Sequence, residues 1–359
     1  MLIKSISNRS FSSFVVLIFF YLFALTSVQA GTWIKKADMP TARVGVGVCS
    51  FEEKVYVVGG YNNGGQVVPT VEQYDPILNT WKKLADMRVP RAYPSLVAMD
   101  GKLYAIGGEN PTGCGPNVSS IERYDPTADK WKVLMPMPTL GITPVGAVNS
   151  KITAMGGLTA FQCQAVPTRS VEQYDPLTDK WEDRTKCLTE RYYATACTLD
   201  DKIYVIGGMT GENGVGAKIV GIMEMYDPIL DKWTKKSGMS EPRAILSACA
   251  LNGKIYAIGG VVGDSRRAMK STDYVEIYNP IADEWIKGTE IPRPRAGLGI
   301  CSANDRIYVI GGGEVANGEA PIKWAEALPL VEEYNPEGDQ PVSNMGKLAS
   351  TWGELRKIH

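Results

Sequence analysis

The sequence predicts an all-β protein built from six copies of one four-stranded unit. Three recurrences predict it. A Gly-Gly pair closing a short apolar run occurs six times, ending at Gly60, Gly108, Gly157, Gly208, Gly260 and Gly312, with spacings of 48, 49, 51, 52 and 52 residues. After each pair comes Glu-x-Tyr-(Asp/Asn)-Pro, with the tyrosine at Tyr74, Tyr124, Tyr174, Tyr226, Tyr278 and Tyr334. Seven residues past the tyrosine stands a tryptophan in five of the six units: Trp81, Trp131, Trp181, Trp233 and Trp285.

Residues 1–30 are expected to be a cleaved secretory signal. Lys4 and Arg9 precede the apolar run Phe14 to Leu25, and Val28 and Ala30 put small side chains where signal peptidase requires them. That run falls short of the roughly 20 residues needed to span a bilayer. No second long apolar run follows, so no membrane span is expected after cleavage, and the mature chain should be periplasmic or extracellular. Within each unit, β-branched and aromatic runs bounded by Gly, Asn-Gly and Asp-Pro read as strands A ("VGVGVCS"), B ("KVYVVGG"), C ("TVEQYDP") and D ("TWKKL"). The sixth unit has Pro341 where its tryptophan should be. Elsewhere a strand D tryptophan precedes an arginine by ten residues, as in Trp81 and Arg91 or Trp233 and Arg243, and Trp33 and Arg43 show the same interval. The stretch "GTWIKKADMPTAR" is therefore the missing strand D of unit six, supplied by the other end of the chain. Residues 337–359 read as a tail, with Trp352 out of register.

Four-stranded units with a period near 50, carrying Gly-Gly, Glu-x-Tyr and Trp in register, resemble kelch repeats, and the resemblance covers residues 31–336. It implies a six-bladed kelch β-propeller, with blade six closed by the N-terminal strand around Trp33. Closure of this kind pairs sheet edges that an open array would expose.

Composition removes several chemistries. The formal net charge is −1, from 38 Lys and Arg against 39 Asp and Glu, and there is no basic stretch, so nucleic acid is not an expected partner. The single histidine is His359, which rules out Ser-His-Asp and Cys-His triads and His-ligated metal sites. No metal and no cofactor are expected. Four of the seven cysteines, Cys49, Cys197, Cys249 and Cys301, stand ten residues before the first glycine of their pairs, on strands A whose sheets pack too far apart for bridging. They read as buried free thiols. Cys114 and Cys163 lie in the B-to-C loops of adjacent units and are the first candidates for a disulfide, with Cys187 the third cysteine in that choice. Glycosylation of Asn117 depends on the host.

The column sixteen residues before the first glycine reads Arg43, Arg91, Leu140, Arg191, Arg243 and Arg295. It stands where the D-to-A loop turns into strand A, on the same face as the B-to-C loops. Two readings stay open: a ring of guanidinium groups at the channel mouth that clamps a carboxylate or phosphate, or arginines that bridge to carboxylates of the neighbouring blade such as Glu190 or Glu241. The B-to-C loops vary most, and the last, Gly313 to Leu330, adds Trp324, an aromatic suited to stacking on a sugar or capping a pocket. The favoured function is a monomeric, non-catalytic binding module whose Arg-rich face takes an acidic ligand, a sugar acid or a protein partner. The resemblance also implies an alternative, because secreted kelch proteins include periplasmic sialic acid mutarotases; a mutarotase or epimerase would need a general acid/base, for which Glu109, Glu190 and Glu241 are candidates. Copper radical oxidases of the same fold require histidine ligands that this chain lacks.

Overall fold

The computed structural model describes residues 31–109, 118–139, 141–161, 164–211, 217–264, 268–315 and 324–338. Residues 1–30, Leu140, Cys114, Cys163, Asn117 and residues 339–359, and with them the expected signal and tail, lie outside the described residues. Among the described residues no helix is long and apolar enough to cross a membrane.

Six four-stranded antiparallel sheets form the blades. Blade 1 runs Gly47–Phe51, Lys54–Val58, Val71–Asp75 and Thr80–Lys83 from strand A to strand D. Blades 2 to 5 repeat the order from Ser95–Met99 through Glu284–Lys287. Blade 6 is composite. Gly299–Ala303, Arg306–Ile310 and Val331–Asn335 are its strands A to C, and Thr32–Lys35 pairs with the last of these as strand D. Trp33 lies opposite Tyr334, the register that sets Trp81 opposite Tyr74 and Trp233 opposite Tyr226. The borrowed strand is thus in the same phase as the five native ones.

The A-to-B hairpins turn through pairs such as Asp100-Gly101 and Asn252-Gly253, whose positive φ angles (49° and 74°, 51° and 69°) match the two-residue turn that suits strand twist. The core lies between blades rather than within one. Val55, Val57 and Tyr74 of blade 1 share a cluster with Cys301, Tyr308 and Ile310 of blade 6, so the seam between the chain's two ends is packed like the others. Cys49, Cys187, Cys197, Cys249 and Cys301 are all free and buried, and burial pushes the Cys197 thiol up to about 12, which keeps it in the neutral, unreactive form. Among the loops, short two-stranded ribbons extend blades 4, 5 and 6; the last pairs Gly313–Val315 with Trp324–Ala327.

One clasp recurs at the outer edge of the ring. The Tyr124 hydroxyl donates to Asp129 Oδ1 at 2.7 Å, the Ala85 N–H of the preceding blade's strand D exit donates to the same oxygen at 2.8 Å, and Trp131 Nε1 returns a bond to the Ala85 carbonyl at 2.8 Å. Tyr174, Asp179, Met135 and Trp181 repeat it, as do Tyr278, Asp283, Ser237 and Trp285. The backbone donor and the phenol hold Asp129 below the usual carboxylate range, and the Tyr278 hydroxyl does the same for Asp283. A carboxyl whose folded pKa is depressed stabilises above its unfolded value and loses that contribution as pH falls through the folded value. Blade 1 uses Asn79 in this position, accepting from Tyr74 and Ala37 without titrating. Replacing Asp129, Asp179 and Asp283 together by Asn should therefore leave the melting temperature at neutral pH near wild type and flatten its fall below about pH 4. Thermal melts across pH 2.5 to 7 check this; an unchanged acid slope would assign the acid sensitivity elsewhere.

Candidate functional site at the channel mouth

The arginine column follows from two constraints on the chain. In every blade but the third, the first glycine of the Gly-Gly pair has its α-carbon pressed against the D-to-A loop of the next blade: a Cβ on Gly59, at φ +65°, would sit 2.2 Å from the Arg91 carbonyl oxygen. Gly60 N–H then donates to that carbonyl at 2.9 Å. This docking turns the arginine side chain back into its own blade. Arg91 Nη1 donates to the carbonyls of Gly107 and Ser120 at 3.0 and 2.8 Å, and Nη2 donates to Glu122 at 2.7 Å. Arg43 pairs with Glu72, Arg191 with Glu224, Arg243 with Glu276 and Arg295 with Glu332 in the same way.

The five guanidinium groups therefore do not open onto the channel. Arg43, Arg91, Arg243 and Arg295 are 0% exposed and Arg191 3%. Burial lowers the pKa of Arg43, Arg91, Arg191 and Arg243 and the paired glutamate raises it again, as expected for an ion pair inside the sheet, while for Arg295 burial and the nearby Arg293 charge both lower it. The expectation of an arginine-lined binding ring is corrected on this point, and so is the bridging alternative in its detail. The partner is the Glu of the blade's own strand C, while Glu190 and Glu241 are exposed. In blade 3, Glu172 keeps its place in the column and accepts from the Thr139 hydroxyl and N–H. For Trp324 the structure places the backbone on the ribbon of blade 6, opposite Val315.

The residue two past each arginine lines the channel instead. This column reads Gly45, Tyr93, Tyr193, Ile245 and Gly297 in blades 1, 2, 4, 5 and 6, and all five hold φ between 52° and 69°. The left-handed turn has a backbone purpose, since Gly45 N–H donates to the Gly297 carbonyl, Tyr93 N–H to Gly45, Ile245 N–H to Tyr193 and Gly297 N–H to Ile245, at 2.7 to 3.1 Å. Bonds from blade to blade thus run round the mouth. Glycine satisfies that geometry without strain, whereas tyrosine there costs roughly 1–2 kcal/mol. The strain at Tyr93 and Tyr193 is not needed by the backbone.

Those two rings cap the mouth. Tyr93 and Tyr193 come from blades separated by blade 3, yet their centroids are 5.8 Å apart. On its other side Tyr93 meets Tyr61 edge-on at 6.3 Å and covers Gly45, where a Cβ would lie 3.0 Å from the Tyr93 ring. The Tyr61 phenol of blade 1 and the Glu109 carboxylate of blade 2 lie close enough to influence each other's titration. Burial raises Glu109 above the ordinary carboxylate range and the Tyr61 hydroxyl opposes it; burial and then the Glu109 charge push the Tyr61 phenol up. The channel itself encloses about 160 Å³, lined by the starts of all six strands A. Two of its hydroxyls are turned to the backbone: Ser95 Oγ donates to the Thr143 carbonyl at 2.7 Å and Ser247 Oγ to the Leu298 carbonyl at 2.6 Å. Tyr93 and Tyr193 pack against a buried apolar cluster that includes Leu158, Tyr192, Met209, Ala217, Val261 and Met269. Among the described residues no group of three His, Cys, Asp or Glu is placed to hold a metal ion. Of the earlier candidates only Glu109 belongs to this site. Tyr61, Tyr93 and Tyr193 were not anticipated, although tyrosine in a column shared with glycine is a signal the alignment of blades contains.

Comparison with known proteins agrees with this architecture. The family model for the kelch motif matches residues 42–88, 90–138, 143–187, 190–240 and 242–292. Human Kelch-like protein 23 is 32% identical over 148 residues, 40% of this chain and 25% of that protein. Alpha-scruin of Limulus polyphemus is 30% identical over 177 residues, 48% of this chain and 19% of that protein. The chain thus matches a quarter or less of the length of these relatives. The solved structure of YjhT superposes with a TM-score of 0.67 at 18% identity, covering 82% of this chain and 95% of that one, a likeness of fold.

Proposed function

Because this chain belongs to the kelch family, we propose that it is a non-catalytic binding module that takes a protein partner on its loop face, centred on Tyr93, Tyr193, Tyr61 and Glu109. The observation that carries this reading is the strain at Tyr93 and Tyr193. Side chains kept in a left-handed conformation where glycine would serve, and set over the channel rather than in the core, are retained for what their rings contact. Half-buried, amphipathic tyrosines held against a buried apolar cluster suit an interface centre. An acidic ligand finds no support here, since the arginines that would have held it are spent inside the blades.

The enzyme reading has one observation in its favour: Glu109 is a shielded carboxyl whose pKa burial raises, beside the Tyr61 phenol. A sialic acid substrate, however, would bring its own carboxylate against Glu109, and the described arginines of the repeat column are all paired inside the blades. The test uses affinity capture from host extract with the wild-type protein and with Tyr93→Gly/Tyr193→Gly, followed by calorimetry with the purified captured protein. Glycine relieves the backbone, so the variant should melt close to wild type while affinity falls by at least about tenfold. Equal affinity would reject the site. Parallel NMR measurement of sialic acid anomer exchange should show no acceleration; exchange that Glu109→Gln abolishes would establish the enzyme instead.

A further inference from the structure

We propose that blade 3 holds a binding site for one monovalent metal cation of the sodium or potassium class, in the space that an arginine side chain fills in the other five blades. Residue spacing conceals the substitution on which this rests. Sixteen residues before Gly156 stands Leu140, but the backbone of blade 3 sets a different residue in the arginine's place. In the other blades the residue after the arginine bridges the residue after the Gly-Gly pair, as Val44 does Tyr61 and Ala92 does Glu109; in blade 3 the bridge joins Ile142 to Leu158. The Gly141 carbonyl likewise accepts from Gly108 N–H at 3.2 Å, as the Arg91 carbonyl accepts from Gly60 N–H at 2.9 Å. Gly141 is therefore the structural counterpart of the arginines. A glycine sends no side chain into the blade.

The groups that receive the guanidinium elsewhere are nevertheless retained. Thr139, Gly141, Gly156, Ser170 and Glu172 line a cavity of about 10 Å³, room for about one water-sized sphere. Gly156 and Ser170 correspond in the repeat to Gly107 and Ser120, whose carbonyls accept from Arg91 Nη1, and the Ser120 hydroxyl accepts from Arg91 Nη2. Glu172 corresponds to Glu122 and is only 5% exposed. The Thr139 hydroxyl donates to Glu172 as the Thr41 hydroxyl donates to Glu72 in blade 1. Glu72 has Arg43 as well, whereas Glu172 makes no ion pair among the described residues. Arg169, three residues before it, is exposed and donates Nε to the Cys187 carbonyl at 2.6 Å.

A carboxylate kept inside a sheet without a counter-charge is costly, and the cavity beside this one is lined by hydroxyl-bearing residues and by positions whose carbonyls serve a cation in blade 2. Oxygens of these kinds are the donors that hard cations select. One carboxylate balances one positive charge. Calcium draws about six to eight oxygens, commonly from several carboxylates, and among the described residues no group of three His, Cys, Asp or Glu is placed to hold a metal ion. The cavity volume also excludes a free guanidinium or other organic cation, which leaves a single monovalent ion as the occupant that matches both size and charge.

Water in the cavity, or a proton taken up by the carboxylate, would satisfy the same oxygens but would not distinguish one salt from another. The full-length protein is therefore melted in N-methylglucamine chloride, whose cation is too large for the cavity, and then with that salt replaced stepwise by sodium or potassium chloride at constant ionic strength. The melting temperature should rise by about 2 °C or more and saturate with at least one of the two ions. Glu172→Gln keeps an oxygen for the Thr139 donors and removes the charge, so it should melt at the same temperature in all three salts, and in N-methylglucamine chloride at or above the wild type. A wild-type protein indifferent to the cation, or a Glu172→Gln protein that keeps the dependence, would overturn the proposal. Should Glu172→Gln fail to fold, crystals of the wild-type protein soaked in thallium(I) acetate decide the matter. An anomalous peak between Glu172, Gly156 and Ser170 is the expected result, and a map without a peak in that cavity would overturn the proposal whatever the melts show.

Discussion

Arg91→Ala is expected to lower stability by about 3–5 kcal/mol, more than any substitution at the channel mouth. The side chain is fully buried, and its guanidinium serves Glu122 at 2.7 Å, the Ser120 hydroxyl at 2.8 Å and two backbone carbonyls. Removing it takes the side-chain donor from both carbonyls, leaving that of Ser120 only the long 3.4 Å bond from the Gly107 N–H, and leaves the Glu122 carboxylate, itself 0% exposed, with only the N–H groups of Arg88 and Val89. The cost is that of an uncompensated buried charge, which exceeds the net worth of the pair; Arg91→Leu with Glu122→Leu should recover part of it. Arg88→Ala, three residues earlier on the exposed side of the same loop, should change stability by less than about 0.5 kcal/mol. Urea denaturation followed by tyrosine and tryptophan fluorescence measures all three. A ligand-binding arginine would behave in the opposite way, with near-normal stability and lost affinity, so a wild-type midpoint for Arg91→Ala would restore the ring of guanidinium groups that burial argues against.

What was legible in the sequence divides along a physical line. Spacing shows where a residue stands along a strand, and so the hairpins, the blade count, the free thiols on strands A and the phase of Trp33 against Tyr334 could all be read before any coordinates. Spacing does not show which way a long side chain turns once the strand ends. Arg91 stands beside the channel by its position in the repeat, but the docking of Gly60 on its carbonyl fixes its backbone, and its side chain follows Glu122 inward. The Glu column recurs as regularly as the Arg column and with opposite charge, and that joint recurrence was the available sign of an internal pair. Tyr93 and Tyr193 are harder to see. They occupy a column that two blades fill with glycine, and only the φ angle reveals that tyrosine there carries a cost.

Deleting Thr32–Lys35 should convert a closed ring into an open one and produce the largest change in behaviour of the whole protein. The strand contributes four ladder pairs to Val331–Asn335, the stacking of Trp33 on Tyr334 at 4.6 Å, and a bond from Trp33 Nε1 to the Thr289 carbonyl of blade 5 at 3.2 Å. The residues just after it reach the other way, with Ala37 N–H donating to Asn79 of blade 1 at 2.8 Å and the Ala37 carbonyl accepting from Trp81 at 2.9 Å. One short segment therefore fastens blade 6 to both of its neighbours. Without it, Val331–Asn335 becomes an unpaired edge, which other chains can extend. The deleted protein should lose hydrogen-exchange protection first in blades 6 and 1 and should self-associate on size exclusion, whereas Trp181→Ala, which removes the same type of ring from blade 3 but leaves the closure intact, should remain monodisperse with a loss of about 2–4 kcal/mol. Adding the peptide Gly31 to Arg43 in trans should restore protection to the deleted protein, because the strand needs only to pair in register and does not need to be covalently joined. Failure of that rescue, or a monodisperse and fully protected deletion, would mean that blade packing holds the ring shut without the borrowed strand.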